Sequence, residues 1–310
     1  MITADINEIQ NRIIHRYENV LLDSVIYDPE NKDNNELSLT LSKNDELNRD
    51  IFLKQKKKGE RVLVTSVFME ILALSCIITE NRLEEGDMVI FAAISNFKKV
   101  GEFPEDTKIT GNCIKVSDKK GFLRYKGSLS NGDQCIATGD MMAYFTKQDT
   151  QAEIVKEEEI PPLTTSKDLP FNEELKSKWV TIGDKLRHID DESCVTEYTY
   201  PTDHPFNKGH FPGNPLMMGV MQWMSIESCI FAYASEKGLK GHHQLYTDAI
   251  IQKTDGSLVA EVKKALLDVW LDDDGIVSQA EIRETKKIVF RNMVKPSETI
   301  YIHCNNITPA

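Results

Sequence analysis

Two apolar helical stretches, Thr65–Asn81 and Gly219–Glu236, dominate the sequence, and a succession of strand-like runs follows each. Behind the first lie Met88–Asn96, Thr107–Lys115, Phe122–Ser128 and Gln134–Phe145. Behind the second lie Gln244–Lys253, Ser257–Leu271, Gly275–Thr285, Lys287–Met293 and Thr299–Asn305. One long helix with an antiparallel meander is α+β architecture rather than alternating βαβ. Meeting it twice implies an internal duplication. A shift of 154 residues places Phe52 on Phe206, Lys54 on Lys208 and Gly59 on Gly213, and runs one helix onto the other.

The polar, proline-containing stretch Lys147–Asp168 divides the copies. The expected organisation is a first domain over 1–147, a linker over 148–168 and a second domain over 169–310. Residues 5–22 read as a helix leading into a strand near Asn19–Tyr27. The second copy lacks a match to the last strands of the first, so either the runs over 244–285 take their place or that copy is short.

A chain of 310 residues with 40% hydrophobic side chains can bury a sizeable core, and 37 basic against 49 acidic side chains leave a net charge of −12. That balance argues against a general nucleic-acid binder, which needs a basic face. The most apolar stretch, Val62–Thr79, contains Thr65, Ser66, Glu70 and Ser75, so it reads as a buried helix rather than a membrane span. The N-terminus shows no basic-then-apolar signal segment, and a cytoplasmic location is expected. The six cysteines never approach one another as CxxC and read as reduced, mostly buried thiols. Asp272–Gly275 with Glu281 resembles part of a calcium loop, but Trp270 occupies the first ligand position. Asp-Gly there reads as a hairpin turn. Neither metal nor cofactor is expected.

The segment His204-Pro-Phe-Asn-Lys-Gly-His210-Phe-Pro-Gly-Asn-Pro-Leu-Met-Met-Gly219-Val220 carries the chemistry. Its prolines and glycines make a rigid loop that presents two imidazoles and enters a helix at Gly219. Free N–H groups and the dipole at that helix start favour developing negative charge. A histidine facing such a donor across an apolar tunnel suits proton abstraction next to a carbonyl. His204 reads as shaping the loop. Met217, Met218, Met221, Trp223 and Phe68 read as core or as tunnel wall.

This segment resembles the active-site signature of the hotdog-fold 3-hydroxyacyl-[acyl-carrier-protein] dehydratases, roughly Pro-Phe-x-x-Gly-His-Phe-Pro-Gly-x-Pro-x-x-Pro-Gly-Val. The resemblance is close over 170–235 and elsewhere rests on element order. It implies a double hotdog: two antiparallel sheets, each wrapped around a long central helix, paired as a pseudo-dimer. It implies His210 as the base, Gly219 and Val220 as oxyanion or thioester-binding residues, and Phe211, Pro212, Gly213 and Pro215 as the motif loop. The implied partner is an acyl carrier protein delivering the acyl thioester, and a homodimer of double hotdogs is left open.

The family's acid falls fourteen residues after its histidine, where this chain has Met224. Under the shift of 154, Lys56 takes the place of His210 and Glu70 that of Met224. His210 and Glu70 would then meet in one composite site, and the mirror site, Lys56 with Met224, would be dead. Glu70 interrupts an apolar helix, so it is either buried with a raised pKa or on an exposed stripe at the helix start. A shift of 153 instead aligns Val67 with Val220 and Cys76 with Cys229, turns Glu70 away by about 100°, and makes Glu227 the alternate acid. The run Lys54–Lys58 reads as a solvated face, or as an attractor for a phosphopantetheine phosphate or an acidic carrier. The expected reaction is dehydration of a 3-hydroxyacyl thioester to the trans-2-enoyl product. An acyl-thioesterase and a non-catalytic acyl-carrier-binding or scaffold subunit are the alternatives.

Overall fold

The computed structural model describes residues 1–80, 87–119, 121–147, 159–272 and 275–310. The inner part of the expected linker, 148–158, and Asp273 and Asp274 of the calcium-like segment lie outside the described residues. The chain opens with β1 (Ile2–Ala4) and α1 (Ile6–Arg12). The Asp5 carboxylate starts α1 by accepting from the N–H groups of Asn7 and Glu8, both at 3.0 Å. The helix expected over 5–22 stops after seven residues, with Ile13 extended. The cause is tertiary: Arg16 N–H donates to Gly209 O at 3.1 Å, a bond to the other half of the chain that a continued helix would forbid.

Next come β2 (Ser24–Tyr27), β3 (Asn34–Thr40), a hairpin of β4 (Leu53–Lys57) and β5 (Glu60–Leu63), and α2 (Val67–Glu80). The first half ends in β6 (Asp87–Lys99), β7 (Lys108–Lys119), β8 (Phe122–Asn131) and β9 (Gln134–Lys147). The second half holds β10 (Lys167–Asp168), β11 (Lys185–Ile189), β12 (Cys194–Thr199) and α3 (Gly219–Glu236). It closes with β13 (Gly241–Lys253), β14 (Leu258–Leu271), β15 (Gln279–Phe290) and β16 (Thr299–Pro309).

Apart from the β4–β5 hairpin, the described strands form one antiparallel sheet, in the order β1-β2-β3-β7-β8-β9-β6-β15-β14-β13-β16-β12-β11-β10. The sequence implied two sheets. The structure fuses them, because β6 and β15 pair edge to edge with Ile94 opposite Ile288, which satisfies backbone groups that two free edges would leave open. α2 packs against β2, β3, β7, β8 and β9, and α3 against β11, β12, β14, β15 and β16. A large antiparallel sheet with few helices fits a hotdog fold.

Seven described strands lie on each side of the β6–β15 junction, those of the second half including the runs over 244–285. Its strands take equivalent places in a different chain order. The junction strand is the first after the helix in one half and the third after the helix in the other. One offset therefore aligns the helices and another aligns Phe97 with Phe290. Where the halves face each other, Phe52 and Phe206, equivalent under the shift of 154, stack with ring centroids 4.9 Å apart. Residues equivalent in two copies meet where the copies pair about a two-fold. All six cysteines are free, and among the described residues no helix is long and apolar enough to cross a membrane.

Candidate active site

The loop before α3 folds on its own hydrogen bonds. Residues Pro205–Lys208 form a 3-10 turn. His204 Nε2–H donates to Trp179 O at 2.9 Å, while its Nδ1 accepts from Phe206 N–H. Burial pulls the His204 pKa down to about 4, so this imidazole is a structural strut. His210 N–H donates to Phe206 O, and Leu216 N–H returns to His210 O at 3.1 Å. Gly213 sits at φ +82°, where a side chain would be strained, and Asn214 N–H closes the turn on Phe211 O. Phe211 and Leu216 pack with Ile14, Ile90 and Met293 in a small apolar cluster. Pro212 and Pro215 stiffen the loop between them.

This scaffold fixes the tautomer of His210. Its Nδ1 lies 2.9 Å from Leu216 O, which can only accept, so Nδ1 carries the proton and Nε2 keeps its lone pair. Glu70 is 4% exposed, buried rather than on a solvated stripe. Both residues line one cavity of about 100 Å³, together with Gly219, Gln222 and Met217. Its walls include Ala73, Ile77, Phe91, Met141 and Phe145. Phe68, Met218, Met221 and Trp223 belong to the core instead.

A third group, which the sequence did not reveal, completes the cluster. His15 follows α1 and is 4% exposed. Its ring lies 5.2 Å from that of His210, and its Nε2 lies 3.9 Å from Glu70 Oε1. One atom each from His15, Glu70 and His210 lie within 4.8 Å of one another, and these are the donors that could hold a metal ion among the described residues. His15 belongs to no motif; the bond from Arg16 to Gly209 and ring contacts with His210 and Phe211 hold it here. A Cβ on Gly209 would stand 2.2 Å from Arg16 O. Gly209→Ala is therefore expected to displace the segment carrying His15 and to lower the melting temperature measurably.

The electrostatics follow from burial. It lowers the His210 pKa to about 4, the Leu216 carbonyl opposing weakly, and raises that of Glu70 to about 7. Burial, then the neighbouring His210 and Arg16, hold His15 well below the ordinary histidine value. Near neutrality the cluster thus holds neutral imidazoles and a carboxyl group that retains much of its proton.

At the start of α3, Met221 and Gln222 N–H turn back to Met218 O, leaving Gly219 and Val220 N–H without intrahelical acceptors. Gly219 lines the cavity, whereas Val220 is fully buried and does not. Glu227 does not reach His210. It lines a second cavity, where its Oε1 accepts from Ile282 N–H at 3.1 Å. Met224 is fully buried in the core.

The mirror position holds no imidazole. Lys56 Nζ donates to Glu281 Oε2 at 2.6 Å, pairs with Glu102 at 3.3 Å and lies 3.8 Å over the Trp270 ring. Lys54 is 2% and Lys56 8% exposed, which corrects the reading of a solvated face at these two positions, whereas Lys57 and Lys58 are exposed. The Lys54 and Lys56 side chains alternate inward along β4 and answer the buried Glu281 and the half-buried Glu102.

No family model matches the sequence, and no curated protein is significantly similar to it. Similar solved structures include the dehydratase heterocomplex ApeI:P from Xenorhabdus doucetiae, 18% identical, with 45% of this chain and 91% of that chain covered and a TM-score of 0.39. The fluoroacetyl-CoA thioesterase FlK is 18% identical over 28% of this chain and 64% of its own, at a TM-score of 0.26. A thioesterase from Haemophilus influenzae is 13% identical over 41% and 81%, at 0.29. These are hotdog-fold proteins, and likenesses of this size leave the chemistry to be argued from the residues themselves.

Proposed function

We propose that this chain is a fused double hotdog that dehydrates a 3-hydroxyacyl thioester to the trans-2-enoyl thioester, its lobes 1–147 and 169–310 building one composite site. The observation that carries this reading is the buried pair of His210 and Glu70 on one cavity, the imidazole kept neutral and the carboxyl group retaining much of its proton near neutrality. His210 Nε2 takes the α-proton. Glu70 gives its proton to the β-hydroxyl, which leaves as water, and the double bond forms between the two carbons. Gly219 N–H holds the thioester oxygen, whose negative charge grows as the α-proton departs. The resulting imidazolium returns its proton to the Glu70 carboxylate, which restores the site.

His15 supplies a third contact. An oxygen at the centre of the His15, Glu70 and His210 triangle lies about 2.8 Å from each corner at most, which is hydrogen-bond reach. That is the place for the departing hydroxyl, within reach of the His15 imidazole. The carrier is an acyl carrier protein. Lys54 and Lys56 do not recruit it, being engaged with Glu281; the exposed Lys57 and Lys58 remain for a phosphate.

The test is hydration of a trans-2-enoyl thioester, followed by loss of enoyl absorbance, with free-thiol release assayed alongside. Hydration without thiol release is expected. Thiol release alone, or binding of an acylated carrier with no turnover, would overturn the reading. The dehydration kcat/KM should be bell-shaped in pH, with limbs near 4 from His210 and near 7 from Glu70. Activity that keeps rising from pH 7 to 9 would exclude Glu70 as the acid.

A further inference from the structure

The second cavity has no part in the dehydration chemistry. It lies along α3 beneath the segment running from β10 through Lys176, with Leu169, Phe171, Leu186 and Phe231 on its walls. Under the shift of 154, Glu227 and Phe231 correspond to Ala73 and Ile77, which line the first cavity. It is therefore the first cavity's counterpart, altered by polar groups: Lys54, Lys176, Glu227 and Gln279.

Two of these groups are incompletely satisfied. Glu227 is 2% and Gln279 3% exposed, and among the described residues neither Glu227 Oε2 nor Gln279 Oε1 has a hydrogen-bond partner. Lys176 Nζ stands 3.9 Å from Glu227 Oε2, too far for a hydrogen bond. Burial pulls the Lys176 pKa down to about 8, against the opposing pull of Glu227. Buried acceptors without donors are rare in native proteins, and here they line a cavity beside an ammonium that also lacks a close partner.

We propose that this cavity binds a small molecule whose apolar chain ends in an uncharged group that both donates and accepts hydrogen bonds, a primary amide or a hydroxyl. Such a group donates to Glu227 Oε2 or Gln279 Oε1 and accepts from Lys176 Nζ. A carboxylate would meet Glu227 on the cavity wall and Glu281, which pairs with Lys54 just behind it. An ammonium would meet Lys54 and Lys176. Like charges in such buried surroundings are costly, so charge selects the neutral head while the walls select the chain.

Octanamide, octanoate and octylamine, titrated calorimetrically into the full chain, test this. Octanamide is expected to bind at least tenfold more tightly than either charged analogue. Phe231→Trp and Ala232→Leu, two independent fillings of the second cavity, should each weaken it tenfold or more, whereas Ile77→Trp in the first cavity should not. Lys176→Met should erase the preference for the amide over octylamine. Equal or tighter binding of a charged analogue, undetectable octanamide binding, or loss on Ile77→Trp instead of Phe231→Trp would overturn the proposal. None of these readouts depends on dehydratase turnover.

Discussion

Glu70→Gln is expected to slow enoyl-thioester hydration by roughly 10²–10⁴-fold, and His210→Ala by a similar factor, the usual worth of a positioned acid or base. Glutamine keeps the shape of the side chain and removes the proton it delivers. The same substitution should leave a signature in stability. Burial raises the Glu70 pKa from 4.5 to about 7. Below pH 4.5 the carboxyl group is protonated in both folded and unfolded chains and adds nothing to the balance. As pH rises to 7 the unfolded chain ionises first, so the wild type loses stability progressively, by on the order of 2–3 kcal/mol. The glutamine variant has no such loss. Urea unfolding at pH 5 and pH 8 should show it gaining on the wild type by about that amount, while its turnover collapses. Undiminished hydration by Glu70→Gln would remove the acid from the mechanism. A stability difference that does not change with pH would mean that Glu70 is not buried as a neutral acid.

How far these features were legible in the sequence depends on the range of the interactions behind them. The His204–Val220 loop folds on local bonds between His204, Phe206, His210 and Leu216, so its residue pattern carries its shape. Glu70 stood out as a charge in an apolar helix, and the shift of 154 placed it opposite His210. His15 had no such mark. Its position depends on Arg16 meeting Gly209, a contact between distant parts of the chain. Periodicity likewise cannot foresee the fusion of two sheets into one, because pairing of β6 with β15 is a matter of edges rather than patterns. Lys54 and Lys56 misled for a related reason. Their inward alternation along β4 makes sense only once Glu281, 225 residues beyond Lys56, lies opposite them.

Glu281→Gln is expected to cost about 3–5 kcal/mol of folding stability, the penalty for breaking a buried ion pair from one side. Glu281 is 2% exposed on β15 and receives Lys54 at 3.1 Å, Lys56 at 2.6 Å, Lys99 and the Thr65 hydroxyl. Without its charge, Glu102 alone remains to answer Lys56 and Lys99. Burial by itself would raise the Glu281 pKa, but Lys54, Lys99 and Lys56 together outweigh it and hold the carboxylate well below its ordinary value. A depressed carboxylate stabilises the fold above its unfolded pKa, and that stabilisation disappears as pH falls through the folded value. The gap between wild type and variant in urea midpoints should therefore be widest near neutrality and narrow on acidification. A change below about 1 kcal/mol at pH 7 would show the cluster to be hydrated and weak, as surface pairs are. The lysines and Glu102 come from the first half of the chain and Glu281 from the second, so the cluster joins the two lobes. Its Lys56 stands at the position that corresponds to His210. The first half, which holds no imidazole at that place, thus uses the position to bind the two halves together, and under the proposed mechanism the meeting of His210 with Glu70 depends on that union.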